Sequence, residues 1–226
     1  MNAAAWGPPG GNMSQNWLIT GAGRGFGRAF VSAAAESGAE VYAGVRHVPE
    51  GDPLFHSPRV HPLIFDVTKP GEVNAAVEKA LGEAGHIDVL INNAGFGMSG
   101  AFEEMSDEEL RGLMEADYYG VVNVTRAILP SMRGRRGGTI LNVASQGGLM
   151  GFTGSSAYCS AKFAVVGLSA AMRMELQEFG IRVSVLCPGS FRTDFRKKGS
   201  MRHPAKELDA YDGTAVRRAS RFLAEN

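Results

Sequence analysis

Residues 16–27 read NWLITGAGRGFG: a short apolar run, then glycine at 21, 23, 25 and 27, with a helical pattern beginning at residue 25. A strand, a glycine turn and a helix N-terminus in that order form an anion site. Glycine lets backbone approach a ligand closely, and the unpaired N–H groups with the helix dipole favour phosphate. The spacing is G-x-x-x-G-x-G at Gly21, Gly25 and Gly27; the form G-x-G-x-x-G would need glycine where Phe26 stands. Glycine turns also arise for purely conformational reasons, so the loop has to be read with its surroundings.

Outward from the loop, short apolar runs alternate with helical patterns. Strands are expected at 16–20, 39–45, 60–65, 86–91, 138–144 and 181–187. These runs are too short and too continuously apolar for half-exposed antiparallel strands, and match buried parallel ones. Helices are expected at 25–37, 70–83, 106–132 and 156–179. The alternation predicts an α/β fold, a doubly wound parallel sheet with helices on both faces. Six strands are recognisable, and none is expected after residue 187.

The 226 residues fit one domain, 14–226, after a Pro- and Gly-rich tail at 1–13. Within it, 190–226 reads as a loop over the substrate and a C-terminal helix whose Val216, Ala219, Phe222 and Leu223 share a face. Twenty-three Lys plus Arg balance 23 Asp plus Glu, so charge gives no case for nucleic acid or an anionic membrane. No apolar run is long enough to span a bilayer, and the first residues lack a signal peptide's pattern. Two cysteines, Cys159 and Cys187, suggest a reducing, cytoplasmic setting.

Carboxyl ends of strands are where open α/β sheets bind ligands. Asp66-Val67 and Asn92-Asn93-Ala94-Gly95 fall at two of them. A third strand ends at Ser145, and the next helix carries Tyr158 and Lys162, four residues apart and so on one face. Tyrosine ordinarily has a pKa near 10, so acid–base work near neutrality requires lowering it by roughly 3 pH units, about 4 kcal/mol. A nearby ammonium is the direct means. Taken alone, a Tyr and a Lys on an amphipathic helix are equally compatible with a surface without chemistry.

Together these stretches resemble the short-chain dehydrogenase/reductase family over roughly residues 14–194. The matching segments are TGAGRGFG, Asp66-Val67, NNAG at 92–95, Ser145 thirteen residues before Tyr158, YCSAK, and PGSFRT at 188–193. The resemblance implies a Rossmann-type fold, a nicotinamide cofactor and hydride transfer between it and a carbonyl/alcohol pair. It makes Tyr158 the acid–base, Lys162 the group that lowers its pKa and holds the nicotinamide ribose, and Ser145 the hydrogen-bond donor to the carbonyl. Gly21, Gly25, Phe26 and Gly27 would cradle phosphate, Asp66 and Val67 flank the adenine, and Asn92, Ala94 and Gly95 line the groove. Pro188, Gly189 and Thr193 would embrace the nicotinamide. A homodimer or homotetramer is implied, with the helices at 106–132 and 156–179 available for contacts.

The second strand ends at Arg46, where an acidic residue would grip a ribose hydroxyl. An arginine instead pairs with a 2′-phosphate through two parallel hydrogen bonds. With Arg24 inside the glycine loop, Arg46 points to NADP(H). Leu149, Met150, Phe152, Phe96, Met98 and Phe195 suggest an apolar pocket for a small ketone or secondary alcohol.

The chain departs from the family in two places. Where the family has Asn in an N-x-x-G stretch of the long helix, this chain has Asp117. Asn123 cannot substitute, because six residues rotate about 600° around a helix. A carboxylate near Lys162 would favour the ammonium yet partly cancel its field at Tyr158, giving slower or pH-shifted chemistry. The usual seventh strand also has no candidate, so the chain is expected to be naturally short or truncated. The alternative reading is therefore a weak or inactive NADP(H)-binding sensor or scaffold.

Overall fold

A computed structural model describes residues 15–189 and 200–225. In chain order the elements begin with β1 (Asn16–Thr20), α1 (Gly25–Glu36), β2 (Glu40–Val45), β3 (Val60–Ile64), α2 (Pro70–Ala84) and β4 (Val89–Asn92). The two-residue β5 (Gly97–Met98) follows, then α3 (Asp107–Met114), a π-turn at Glu115–Tyr119, and α4 (Gly120–Arg135). The chain continues through β6 (Gly138–Val143), α5 (Ser156–Leu176), β7 (Ile181–Leu186), the short β8 (Met201–Arg202) and α6 (Ala215–Glu225). The expected tail at 1–13, Thr193 and Phe195 lie outside the described residues.

Six strands form one parallel sheet in the order β3-β2-β1-β4-β6-β7. The Rossmann-type α/β fold expected from the sequence is the one observed. Register explains why the strands read as continuous apolar runs. Tyr42, Leu18, Leu90, Ile140 and Val183 stand side by side across five strands. All are buried, packed against Val73 and Val77 of α2, Val124, Ile128 and Met132 of α4, and Met172 of α5. The next row, Ala43, Ile19, Ile91 and Leu141, faces the other way toward Val31 and Ala34 of α1. Both faces are thus covered, each buried Leu or Ile contributing roughly 1.5–3 kcal/mol. Pro62 sits in β3, the edge strand, where a missing N–H is tolerated.

Strand order reverses between β1 and β4, which opens a crevice at their carboxyl ends. The crevice mouth is tied shut locally. Thr20 Oγ1 accepts the Asn93 and Ala94 N–H groups at 3.0 and 3.1 Å, while Asn93 Nδ2 donates to the Thr20 and Gly21 carbonyls at 3.1 and 3.2 Å.

Two features differ from the reading of the sequence. The single helix expected over 106–132 is interrupted by the π-turn, in which an extra residue is accommodated between α3 and α4. Gly120 follows it because a Cβ there would lie 2.7 Å from Val67 Cγ2. No strand was expected after residue 187, yet β8 pairs with β5 in a separate parallel ribbon. Two residues, one of them charged, leave no periodic signal to read.

Asn92, expected to line the groove, instead lies beneath it in the core. Its Nδ2 donates to Thr125 Oγ1 at 2.9 Å and Asn142 Oδ1 at 2.8 Å, and Asn142 Nδ2 donates to Ser169 Oγ at 2.9 Å. Strand alternation sends adjacent side chains to opposite sides, so in the Asn92-Asn93 pair only Asn93 faces the crevice. The network joins β4, α4, β6 and α5 through buried groups whose loss of a partner is costly. Asn142→Ala is expected to lower the unfolding free energy by about 1–3 kcal/mol in urea titration; a change under about 0.5 kcal/mol would contradict this role.

Candidate active site

The glycine loop needs its glycines for identifiable reasons. Gly21 and Gly25 have φ of 64° and 53°, the left-handed region that side chains disfavour. A Cβ on Gly21 would lie 2.8 Å from Ala94 Cα, and one on Gly27 would collide with the Gly21 carbonyl oxygen. The loop therefore runs hard against the end of β4 and delivers the N-terminus of α1 to the crevice. Arg24 occupies the N-cap position in extended conformation and makes no side-chain cap, which leaves the first N–H groups of α1 for an anion.

A cavity of about 1030 Å³ follows the carboxyl ends of the strands. Sheet order divides it. Arg24, Arg46, His47 and Lys69 line the part built on β1, β2 and β3, whereas Ser145, Tyr158 and Lys162 line the part built on β6 and α5. Phe26, Asp66, Val67, Ala94, Gly95, Pro188 and Gly189 are also on its wall. Asp66 Oδ1 is occupied by the Thr68 N–H and hydroxyl at 2.9 and 2.8 Å. The Val67 carbonyl accepts Asn123 Nδ2 at 2.9 Å, so Asn123 does face away from the lysine.

The loop carrying Arg46 contains two acids, Glu50 and Asp52, and Arg28 takes up Asp52. The guanidinium bonds both carboxylate oxygens, at 2.7 and 2.9 Å, and holds the Asp52 pKa down at about 2. With that carboxylate engaged by α1, Arg24, Arg46, His47 and Lys69 line the cavity at this end. Positive-φ glycines, an uncapped helix start and a cluster of cations are donor chemistry that fits a phosphate-bearing dinucleotide. His47 and Lys69 were passed over in the sequence; each adjoins a residue that was singled out or the strand end next to it.

At the other end, α5 brings Tyr158 and Lys162 onto one face as their spacing requires, with Lys162 Nζ 5.6 Å from the Tyr158 ring centre. Ser145, just past β6, hydrogen-bonds the Tyr158 hydroxyl and accepts the Gly147 N–H at 3.1 Å. Asp117 projects from the π-turn into the same region and is fully buried. Its Oδ1 accepts the Phe96 N–H at 2.9 Å, and Oδ2 lies 3.1 Å from Lys162 Nζ. Gly95 permits this approach: a Cβ there would sit 3.0 Å from both carboxylate oxygens. Lys162 also donates to the Val143 carbonyl at 3.3 Å.

These contacts set opposing electrostatic demands. Burial pushes the Tyr158 phenol above its ordinary value; Lys162 and the Ser145 hydrogen bond pull it down, and the Asp117 charge pushes it up again. Burial alone would lower the Lys162 pKa, but the Asp117 and Tyr158 charges outweigh it and raise it. Burial raises the Asp117 pKa, against the pull of Lys162 and the Phe96 N–H. The ammonium is thus shared between a carboxylate in contact and a phenol farther off.

Of the residues expected to form an apolar pocket, Phe96, Met98 and Phe152 line the cavity. Leu149 and Met150 do not, and are exposed at 60% and 57%. The ribbon β5–β8 and helix α6 close this end, with Ala219, Phe222 and Leu223 on the wall. Glu104 anchors that closure by accepting Arg217 Nη2 at 2.6 Å and the Leu208 N–H at 2.9 Å. The polar Glu104 and Arg217 gave no sign in sequence of being buried together. Among the described residues no cluster of His, Cys, Asp and Glu suits a metal ion, and no helix is long and apolar enough to cross a membrane.

Comparison with known proteins agrees with this geometry. The profile of the short chain dehydrogenase family matches residues 15–203. The chain is 42% identical over 178 residues to 3-ketodihydrosphingosine reductase of Bacteroides thetaiotaomicron, covering 79% of this chain and 64% of that relative's length. It superposes on a crystal structure of a short-chain dehydrogenase from Streptomyces avermitilis with a TM-score of 0.86 at 38% identity, over 93% of this chain and 78% of the other. The structure of ElxO with NADP bound gives a TM-score of 0.77 at 29% identity, covering 80% of this chain and 76% of that one. With the glycine loop, the strand order and the Ser145, Tyr158 and Lys162 cluster on one cavity, these matches lead to one conclusion: the chain belongs to the short-chain dehydrogenase family of oxidoreductases.

Proposed function

We propose that the protein is an NADP(H)-dependent reductase of small carbonyl compounds, working on the CH–OH/C=O pair in either direction. The observation that carries this is the convergence of Ser145, Tyr158 and Lys162 in one cavity that begins at the glycine loop and the cations beside it. When bound, the dinucleotide supplies the hydride. Tyr158 hands its hydroxyl proton to the carbonyl oxygen during reduction, and Ser145 donates a hydrogen bond that holds that oxygen in place. Lys162 favours the phenolate that remains. Arg46 and Arg24 would hold the 2′-phosphate, Asp66 and Val67 would flank the adenine, and Ala94, Gly95, Pro188 and Gly189 would line the nicotinamide half. Thr193, by the family resemblance, meets the carboxamide. NADP in the ElxO structure supports the cofactor choice. The exposed Phe163 and Met174 on α5 suit contacts within a homodimer or homotetramer, and the free Cys159 and Cys187 suit the cytoplasm.

One observation favours a second reading, an NADP(H)-binding sensor or scaffold with little turnover: Asp117 draws on the ammonium that Tyr158 needs. Following NADPH oxidation over a panel of ketones separates the two. The reductase reading expects turnover that falls about 100-fold or more in Tyr158→Phe; tight NADPH binding without Tyr158-dependent turnover would favour the sensor. In parallel titrations NADPH should bind more tightly than NADH, and Arg46→Ser should reduce that preference about tenfold, since charge-assisted hydrogen bonds contribute about 1.5–3 kcal/mol. Tighter binding of NADH by the unaltered protein would overturn the cofactor assignment.

Asp117 makes a separate pH prediction. Alcohol oxidation requires ionised Tyr158, so its rate rises with pH through the phenol's titration. The Asp117 charge raises that pKa. Asp117→Asn should therefore move the rising limb to lower pH and speed oxidation severalfold at neutral pH. An unchanged pH–rate profile would remove Asp117 from the mechanism.

A further inference from the structure

The substrate end of the cavity holds a cation that the proposed chemistry does not use. Arg202, on β8, lies on the wall beside Met201 and Ser200. Its guanidinium carbon stands 3.8 Å from the centre of the Phe96 ring. Phe96 is itself pinned, because its N–H is bonded to Asp117 and the residue is buried in a small core with Met98, Met105 and Leu113. The backbone of Arg202 is pinned as well. Met98 pairs with Arg202 across the ribbon, Gly97 N–H donates to the Ser200 carbonyl at 2.7 Å, and Ser99 N–H donates to the Arg202 carbonyl at 3.0 Å.

A guanidinium this close to an aromatic ring is held by cation–π attraction, and its five N–H donors keep their fixed fork geometry. Among the described residues no carboxylate forms an ion pair with Arg202. The one buried acid close enough to feel its charge is Asp117, already engaged by Lys162 and the Phe96 N–H. Of the other cations near the cavity, Arg24, Arg46 and Lys69 stand at the opposite end, and Arg217 is bound by Glu104, Glu207 and Asp212. The same wall carries the apolar side chains of Met98, Phe152, Met201, Phe222 and Leu223.

We propose that Arg202 is a specificity-determining residue that receives a carboxylate on the substrate, so that the preferred substrates are oxo acids with an apolar body rather than neutral ketones. The proposal rests on the reductase reading above and narrows it. A bidentate carboxylate at the guanidinium edge explains why a planar, pre-positioned donor fork faces an apolar cavity. Phe96 orients the fork, and the adjoining methionine and phenylalanine side chains take the carbon skeleton between the carboxylate and the reacting carbonyl.

The test compares benzoylformate, acetoacetate and levulinate, which differ in the separation of ketone and carboxylate, each beside its methyl ester. For at least one pair, kcat/KM for the acid should exceed that for the ester by about tenfold, mainly through KM, which corresponds to about 1.4 kcal/mol. In Arg202→Met that acid-to-ester ratio should fall to near one, and in Arg202→Lys it should fall only partway, because the charge remains while the fork is lost. Equal treatment of acid and ester by the unaltered protein, or a ratio unmoved in Arg202→Met, overturns the proposal. If no compound shows Tyr158-dependent turnover, the reductase reading fails, and Arg202 is judged by calorimetry of the three acids on NADPH-loaded protein. Binding abolished by Arg202→Met supports the anion site; binding absent from the start, or equal in the variant, overturns it.

Discussion

A carboxylate and an ammonium held 3.1 Å apart and almost wholly buried, Asp117 and Lys162, constrain everything at the catalytic end of this molecule. Taking two charges out of water is costly, and hydrogen bonds to the remaining lone pairs and protons offset part of that cost. The surrounding chain supplies several, although among the described residues Asp117 Oδ2 has no partner beyond the Lys162 ammonium. The π-turn carries Asp117 inward, Gly95 leaves space for its oxygens, the Phe96 N–H bonds one of them, and the Val143 carbonyl accepts a hydrogen bond from Lys162. Tyr158 and Ser145 are built around a pair that is already committed to each other.

That commitment links the two ends of the cavity in different ways. At the cofactor end Arg28 pairs with Asp52, and Arg24, Arg46 and Lys69 line the wall. At the catalytic end acid and base are joined, and the ammonium that would lower the Tyr158 pKa is partly spent on a carboxylate. Anion binding and acid–base chemistry thus depend on the same rule, applied with opposite outcomes. A positive group acts on a ligand or a phenol only to the extent that no nearer carboxylate claims it.

The fold was legible because its signals are long or repeated. Buried parallel strands read as apolar runs, and the rows through Leu18 and Ile19 confirm why neither face could be polar. The glycine loop, Ser145, Tyr158 and Lys162 were legible because their spacing encodes proximity on a turn or a helix face. Asn92 and Asn93 were not distinguishable, since only the phase of a strand decides which one faces the crevice. The π-turn was hidden because one inserted residue disturbs helical periodicity less than ordinary sequence variation does. Arg202 and the Glu104–Arg217 pair were hidden for another reason: each contact joins residues about a hundred positions apart, which no local pattern records.

The central claim is that Asp117, acting through Lys162, holds the Tyr158 phenol above the value it would otherwise have. Labelling tyrosine at the ring carbon that bears the hydroxyl and following its NMR shift against pH reads that ionisation directly, with Tyr158→Phe assigning the resonance. The account predicts that the Tyr158 signal titrates above the ordinary tyrosine range in the unaltered protein and at lower pH in Asp117→Asn. Superimposable titration curves for the two proteins would contradict it.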